Sequence, residues 1–129
     1  MERRSLVLDS GAVIALTHGD RAVRKVLEAA HEAGADIIVP HAVVTQTARG
    51  EPQDAALRYL LSGVWVPFVG KRLALAAGAL LAQAGLSDAA DAQVMAEAIR
   101  SGPALLLTSD IDDMTRLGGG RPGVRIVRV

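Results

Sequence analysis

Near its beginning the sequence runs Leu6-Val7-Leu8-Asp9-Ser10-Gly11-Ala12-Val13-Ile14-Ala15-Leu16. The apolar run before Asp9 is too short for a helix and predicts a buried strand, whereas the residues after Gly11 predict a helix. A strand, a turn and a helix place ligand-binding groups at the carboxyl end of the strand. Asp9 is therefore either a cation ligand in a crevice at that end or an N-cap of the helix, whose first N–H groups need acceptors.

The totals indicate a single domain, residues 1–129, with its own core. Fourteen basic and fourteen acidic residues cancel, so no global charge attracts a nucleic acid or a membrane. The chain has no Cys, which excludes disulfides and thiolate metal sites. No apolar run approaches the roughly 18 residues of a membrane span, and the run before Asp9 is too short for a signal peptide. We expect a soluble, cytoplasmic domain without a membrane partner.

Short apolar segments alternate with segments of helical periodicity along the whole chain. The predicted strands are residues 6–8, 36–39, 64–69, 103–108 and 124–129. The helices between them are expected to end at glycines such as Gly34, Gly50 and Gly85, and Pro67 predicts an edge position for its strand. Gly118-Gly119-Gly120 is predicted as a loop without phosphate-binding spacing. This alternation predicts a three-layer α/β domain with a mostly parallel sheet.

Acidic residues follow two of these strands. Asp9 ends the first, and Asp110 ends the fourth, with Asp112 and Asp113 close behind. Because the carboxyl ends of parallel strands share one edge, Asp9 and Asp110 are neighbours if their strands pair. Crowded carboxylates repel one another unless a cation neutralises them, and oxygen ligands favour Mg²⁺ or Mn²⁺. Such a metal activates water for hydrolysis of a phosphodiester.

Two further acids, Asp88 and Asp91, open the helix before the fourth strand and lie on one of its faces. Asp88 also fits an N-cap, with Asp91 as its partner at the third helical position. Asp112 and Asp113 likewise fit first-turn acids that complement a helix dipole. From the residues alone both interpretations stay open.

Taken together, these pieces resemble a PIN domain. The matching pieces are Leu8–Ala12, Val39-Pro40 leading to Arg49-Gly50, Asp91-Ala92 in an Ala-rich helix, and Leu107–Asp110 with Asp113. The closest likeness is to the single-domain ribonuclease toxins of VapBC-type toxin–antitoxin pairs, and it spans nearly the whole chain. The resemblance implies an α/β/α sandwich with a five-stranded parallel sheet, an acidic cleft holding Mg²⁺ or Mn²⁺, and endonucleolytic cleavage of RNA. It also implies a cognate antitoxin that blocks the cleft, and a homodimer.

Residue by residue, the resemblance makes Asp9, Asp91 and Asp110 the catalytic acids and adds Asp113 as a fourth metal ligand. The family's second acid is usually Glu, and Gln46 stands at that position. An amide oxygen can ligate a metal, but it brings no charge and cannot act as a general base. Asp88, Asp112 and Glu51 are the acids that could compensate. For contact with RNA phosphates, the leading basic candidates are Arg49 and Arg116, followed by Lys71, Arg72 and Arg121.

Three other functions fit parts of the pattern. A PIN-like module that binds RNA or protein without cleaving it would account for Gln46. A phospho-accepting receiver domain needs an acidic pair after the first strand and a late Lys, and neither is present. A phosphatase of the haloacid dehalogenase kind needs an Asp two residues after Asp9, where Gly11 stands, and is excluded.

Overall fold

A computed structural model describes residues 4–118 and 120–129. Its elements in chain order are β1 (Ser5–Leu8), α1 (Ser10–Thr17), α2 (Arg21–Glu32), β2 (Asp36–Ile38), α3 (His41–Thr47), α4 (Ala55–Leu61), α5 (Lys71–Ala84), α6 (Ala89–Arg100), β3 (Ala104–Thr108), α7 (Ile111–Gly118) and β4 (Val124–Arg128). The strands form one parallel sheet in the order β2-β1-β3-β4. The connection from β1 to β2 runs toward one edge of the sheet, and the connections from β2 to β3 and from β3 to β4 run toward the other. Since parallel crossovers are right-handed, the helices of these two groups lie on opposite faces of the sheet. The three-layer α/β/α arrangement is confirmed.

The centre of the core is formed by β1 and α6. Every residue of β1 is buried between β2 and β3, and α6 packs against β1 and β3 with most of its small side chains buried. The three aromatic residues of the chain are all on the surface, with Tyr59, Trp65 and Phe68 between 67% and 85% exposed. The core is therefore built from Ala, Val, Leu, Ile and Met.

Two of the predicted helix ends depend on a left-handed backbone. Gly34 follows α2 with φ of +76°, and Gly85 ends α5 with φ of +66°. A residue with a Cβ is strained in this region, whereas glycine adopts it freely. Both predicted stops are confirmed.

The sheet has four strands in the described residues, not five. The predicted strand at 64–69 is reduced to one parallel bridge between Trp65 and Ile38. Trp65 N–H donates to Ile37 C=O, and Val39 N–H donates to Trp65 C=O, each at 2.8 Å. In a parallel ladder the next donor would be the N–H of residue 67, which is Pro67 and has none. The predicted edge position is correct, but pairing stops after one residue.

Smaller differences concern the segments around two helices. The third helix ends at Thr47 rather than Arg49 because the carboxylate of Asp54 accepts the N–H groups of Arg49 at 2.7 Å and Gly50 at 2.9 Å. Gly118, predicted as loop, is the last residue of α7, and Gly119 lies outside the described residues.

No single helix in residues 4–118 and 120–129 is long and apolar enough to cross a bilayer. Helices α5 and α6 reach that length only as a pair, and the pair is bent by 113°.

Candidate functional site

Acidic side chains gather at the carboxyl edge of the sheet. Strands β1 and β3 pair directly, with Leu8 opposite Leu107, and the N–H of Asp9 continues the ladder by donating to Leu107 C=O at 3.1 Å. Asp9 and Asp110 therefore follow two adjacent strands at one edge. The condition on which the two acids were expected to be neighbours, pairing of their strands, is therefore met.

Three carboxylates form a compact cluster at this edge. Asp91 from α6, Asp110 from the end of β3 and Asp113 from α7 each offer an oxygen, and the three oxygens lie within 4.8 Å of one another. All three side chains are partly exposed. We call Asp91, Asp110 and Asp113 the acidic triad.

Helix capping involves the carboxylate of Asp110 and the backbone N–H groups of the other two members of the acidic triad. Asp88 is the N-cap of α6, and its Oδ1 accepts the N–H of Asp91 at 3.0 Å. Asp110 Oδ1 accepts the N–H of Asp113 at 3.3 Å, so Asp110 caps the first turn of α7. Of the two interpretations of Asp88, the structure shows the N-cap. These local bonds close the first turns of α6 and α7, from which Asp91 and Asp113 extend to the cluster.

Asp9 lies behind the triad and is only 4% exposed. Its Oδ1 accepts the N–H of Ala12 at 2.9 Å, and its Oδ2 accepts the N–H of Ser109 at 3.2 Å. The first bond makes Asp9 the N-cap of α1, and the second ties the end of β1 to the loop after β3. Each carboxylate oxygen retains a second lone pair, so capping leaves it able to accept a further ligand.

The acidic side chains of the cluster repel one another, and the effect is seen at Asp91. The pKa of Asp91 is raised from 3.8 to about 6, first by burial and then by the charges of Asp88, Asp110, Asp9 and Asp113. Like charges disfavour ionisation of a neighbouring carboxyl group, and a bound cation would reverse that effect.

The donor set fits a divalent metal ion. All available ligands are carboxylate oxygens, which hard cations prefer, and their separations allow one ion to contact all three triad members. Partial exposure leaves room for water and a substrate beside them. The acidic triad can therefore hold a metal ion and present it to a ligand from solvent.

The remaining predicted candidates lie outside the acidic triad. Gln46 is exposed on α3, and its backbone C=O accepts Arg49 Nη1 at 2.6 Å. Asp112 is exposed on α7. Arg116 Nη2 donates to Ala84 C=O at 2.8 Å, which links α7 to the end of α5.

Glu51, one of the acids that could compensate for the neutral Gln46, is engaged in an ion pair away from the acidic triad. Glu51 is exposed and forms an ion pair with Arg58 at 2.9 Å. The turn before it is fixed by Asp54, whose pKa is lowered by the N–H groups of Arg49 and then Gly50.

One feature of the site has no counterpart in the sequence predictions. A Cβ added to Gly11 would lie 2.2 Å from Ser109 Oγ and 2.6 Å from Ser109 Cβ. The first turn of α1 and the loop after β3 are therefore in direct contact beside Asp9. In the sequence this contact is marked only by the position of its two residues: Gly11 comes two residues after Asp9, and Ser109 comes just before Asp110.

Comparisons with known proteins give the fold. No protein-family model matches the chain, and no curated protein matches it significantly. Solved structures do match. A chain in the VapBC2 structure from Rickettsia felis, bound to a promoter DNA fragment, has a TM-score of 0.69 at 18% identity, covering 96% of this chain and 98% of that one.

Two further solved structures agree. A chain in the DNA-bound VapBC structure from Salmonella typhimurium has a TM-score of 0.71 at 14% identity, covering 96% and 97% of the two chains. A chain in a structure of FitAB bound to a DNA fragment has a TM-score of 0.68 at 16% identity, covering 95% and 94%. At these identities the likeness establishes the fold, which is PIN-like with four strands among residues 4–118 and 120–129.

Proposed function

We propose that the chain, as a single domain of 129 residues, is a metal-dependent endoribonuclease and the toxin of a toxin–antitoxin pair. The observation that carries the proposal is the acidic triad at the carboxyl edge of a PIN-like sheet. Likeness in fold to chains of the VapBC and FitAB structures supports the same class.

In this proposal Asp91, Asp110 and Asp113 hold Mg²⁺ or Mn²⁺, and Asp9 supports them from behind. When bound, the ion supplies an activated water and a Lewis acid for the phosphodiester. Asp9 fixes the ends of β1 and β3 through its two hydrogen bonds and adds negative charge that strengthens cation binding. Arg49 and Arg116, both exposed, are the proposed RNA phosphate contacts.

Partners follow from the same proposal. The similar VapBC and FitAB structures are complexes, which supports a cognate antitoxin for this chain, and we place both proteins in the cytoplasm with the RNA. For the proposed homodimer, α5 offers a face without charge from residue 73 to 84. Its exposed members are Ala74, Leu75, Ala76, Gly78, Ala79, Ala82 and the polar Gln83. Small apolar residues allow a second helix to approach closely.

A second candidate is a PIN-like module that binds RNA or protein without cleaving it. The neutral Gln46 favours this function, because charge count sets the affinity of oxygen-ligand metal sites. The two functions differ in their requirement for a metal ion.

The test combines Mn²⁺ calorimetry with cleavage of a single-stranded RNA oligonucleotide. The nuclease is expected to bind Mn²⁺ and to cleave only when Mn²⁺ is present. Asp110→Asn is expected to lose both properties. Asp112→Asn is the matched control, since it removes an exposed acid of the same type two residues away and outside the triad.

Three outcomes are decisive. Cleavage that survives Asp110→Asn would remove Asp110 from the catalytic set. RNA binding without cleavage, and without Mn²⁺ affinity, would establish the non-catalytic module. Equal loss in Asp110→Asn and Asp112→Asn would mean that surface charge, rather than the triad, controls activity.

A further inference from the structure

The side chain of Ser109 occupies space that any side chain on residue 11 would need. An added Cβ at Gly11 would stand 2.2 Å from Ser109 Oγ and 2.6 Å from Ser109 Cβ, far inside van der Waals contact, and 3.3 Å from Asp9 Oδ1. Only glycine leaves this room. Gly11 thus lets the serine side chain lie over the first turn of α1, beside Asp9.

The backbone around Ser109 is held on both sides. Its N–H donates to Asp9 Oδ2 at 3.2 Å, and the N–H of the next residue, Asp110, donates to Thr108 Oγ1 at 2.9 Å. Thr108 is fully buried. The serine therefore lies at a fixed position between the acid that follows β1 and the acid that follows β3.

The hydroxyl of Ser109 is available to a ligand. Ser109 is exposed, and its Oγ has no hydrogen-bond partner among residues 4–118 and 120–129. A hydroxyl can donate one hydrogen bond, whereas ionised carboxylates only accept. Beside a cluster that offers acceptors alone, Ser109 supplies a neutral donor.

We propose that the Ser109 hydroxyl donates a hydrogen bond to a non-bridging oxygen of the RNA phosphate bound at the acidic triad. This inference rests on the proposed nuclease function. A phosphodiester carries a negative charge on its non-bridging oxygens, and a donor beside Asp9 and one residue before Asp110 both offsets carboxylate repulsion and orients the phosphate. Ser109 is in this sense a substrate-positioning residue, and Gly11 is the residue that admits it.

The first test is Ser109→Ala, which removes the donor from an exposed side chain and leaves the backbone N–H for Asp9. Affinity for the RNA oligonucleotide is measured by fluorescence anisotropy with Ca²⁺ in place of Mn²⁺, and kcat/KM for cleavage is measured with Mn²⁺. Both are expected to fall about tenfold, the usual effect of one hydrogen bond to a charged group. Mn²⁺ affinity and the unfolding temperature are expected to stay unchanged.

The second test moves the hydroxyl to the other side of the contact. In Gly11→Ser/Ser109→Gly the new Cβ stands 2.2 Å from the place of the old Oγ, so a rotation about the new Cα–Cβ bond can direct its hydroxyl to that place. Gly11→Ala/Ser109→Gly is the matched control and differs from it by one oxygen. The serine double variant is expected to recover most of the RNA affinity, and the alanine double variant to resemble Ser109→Ala.

Contradictory outcomes fall into two groups. RNA affinity within twofold of the wild type in Ser109→Ala overturns the donor role, as does a parallel loss of Mn²⁺ affinity, which would make Ser109 part of the metal site. A wild-type protein that neither binds Mn²⁺ nor cleaves RNA overturns the proposed nuclease, and this inference with it.

Discussion

The raised pKa of Asp91 predicts that a substitution in the acidic cluster stabilises the metal-free protein. Asp91→Asn keeps the shape of the side chain and removes its charge. In the native protein ionisation of Asp91 is opposed by burial and by Asp88, Asp110, Asp9 and Asp113, and the pKa rises from 3.8 to about 6. Asn at this position avoids that cost.

The pH window follows from linkage. A carboxyl group whose native pKa is above its unfolded value binds its proton more tightly when folded. Its contribution to stability is present below about pH 4 and is lost as pH rises through about 6. Wild-type protein is therefore expected to lose stability over this interval, and Asp91→Asn to lose less.

The magnitude can be bounded from the same values. Full linkage between 3.8 and about 6 amounts to about 3 kcal/mol. Asp91 is partly exposed, so solvent screening reduces this to about 1–2 kcal/mol. An acid in the first turn of α6 also gains about 0.5 kcal/mol from the helix dipole, which Asn forgoes. The net gain for Asp91→Asn at pH 8 is about 1 kcal/mol.

The assay is urea unfolding of both proteins in EDTA at pH 4 and pH 8, with Asp112→Asn as the control. Asp91→Asn is expected to be more stable than wild type at pH 8 and equal to it at pH 4, and Asp112→Asn to match wild type at pH 8. With Mn²⁺ at pH 8 the order is expected to invert, because only the intact triad gains binding energy. A lower stability of Asp91→Asn in EDTA at pH 8 would mean that the charge of Asp91 does not destabilise the metal-free protein.

Three other substitutions have defined outcomes. Asp9→Asn is expected to abolish cleavage and to cost about 1–2 kcal/mol in urea unfolding, because an amide has one acceptor oxygen for the two N–H groups that Asp9 now accepts; retained cleavage would show that Asp9 is only a cap. Gln46→Glu is expected to tighten Mn²⁺ binding in calorimetry, and equal or weaker binding would mean that residue 46 does not face the metal. Arg58→Ala is expected to change unfolding by less than about 1 kcal/mol, because its ion pair with Glu51 is exposed; a larger loss would indicate a structural role for that loop.

What the sequence predicts well is local or topological. Gly34 and Gly85 mark helix ends because a left-handed residue is a property of the backbone at that point. Asp9 and Asp110 are predicted to share an edge because strand direction alone puts them there. That the two acids are also neighbours required that their strands be adjacent, and β1 and β3 are adjacent in the sheet.

The features that sequence could not give depend on contacts between distant segments. Residues 64–69 have the composition of a strand. The missing N–H of Pro67 stops its pairing only because Trp65 pairs with Ile38, and the sequence does not indicate that pairing. The contact between Gly11 and Ser109 joins residues 98 positions apart. Neither residue type indicates the other, so their proximity appears only in three dimensions.

Asp9 shows that capping and function need not be alternatives. From the sequence, a strand-end acid is either a cap or a ligand, yet Asp9 accepts two N–H groups and still raises the pKa of Asp91. The same holds for Asp110, which caps α7 while its carboxylate belongs to the triad. Hydrogen bonds from backbone N–H groups fix the carboxylates of Asp9 and Asp110 without any cation. The fold therefore keeps these two negative charges close to Asp91, and a cation at this edge would relieve the repulsion between them. Gln46 is neutral and adds nothing to that repulsion, so the charges that act on Asp91 come from Asp88, Asp110, Asp9 and Asp113.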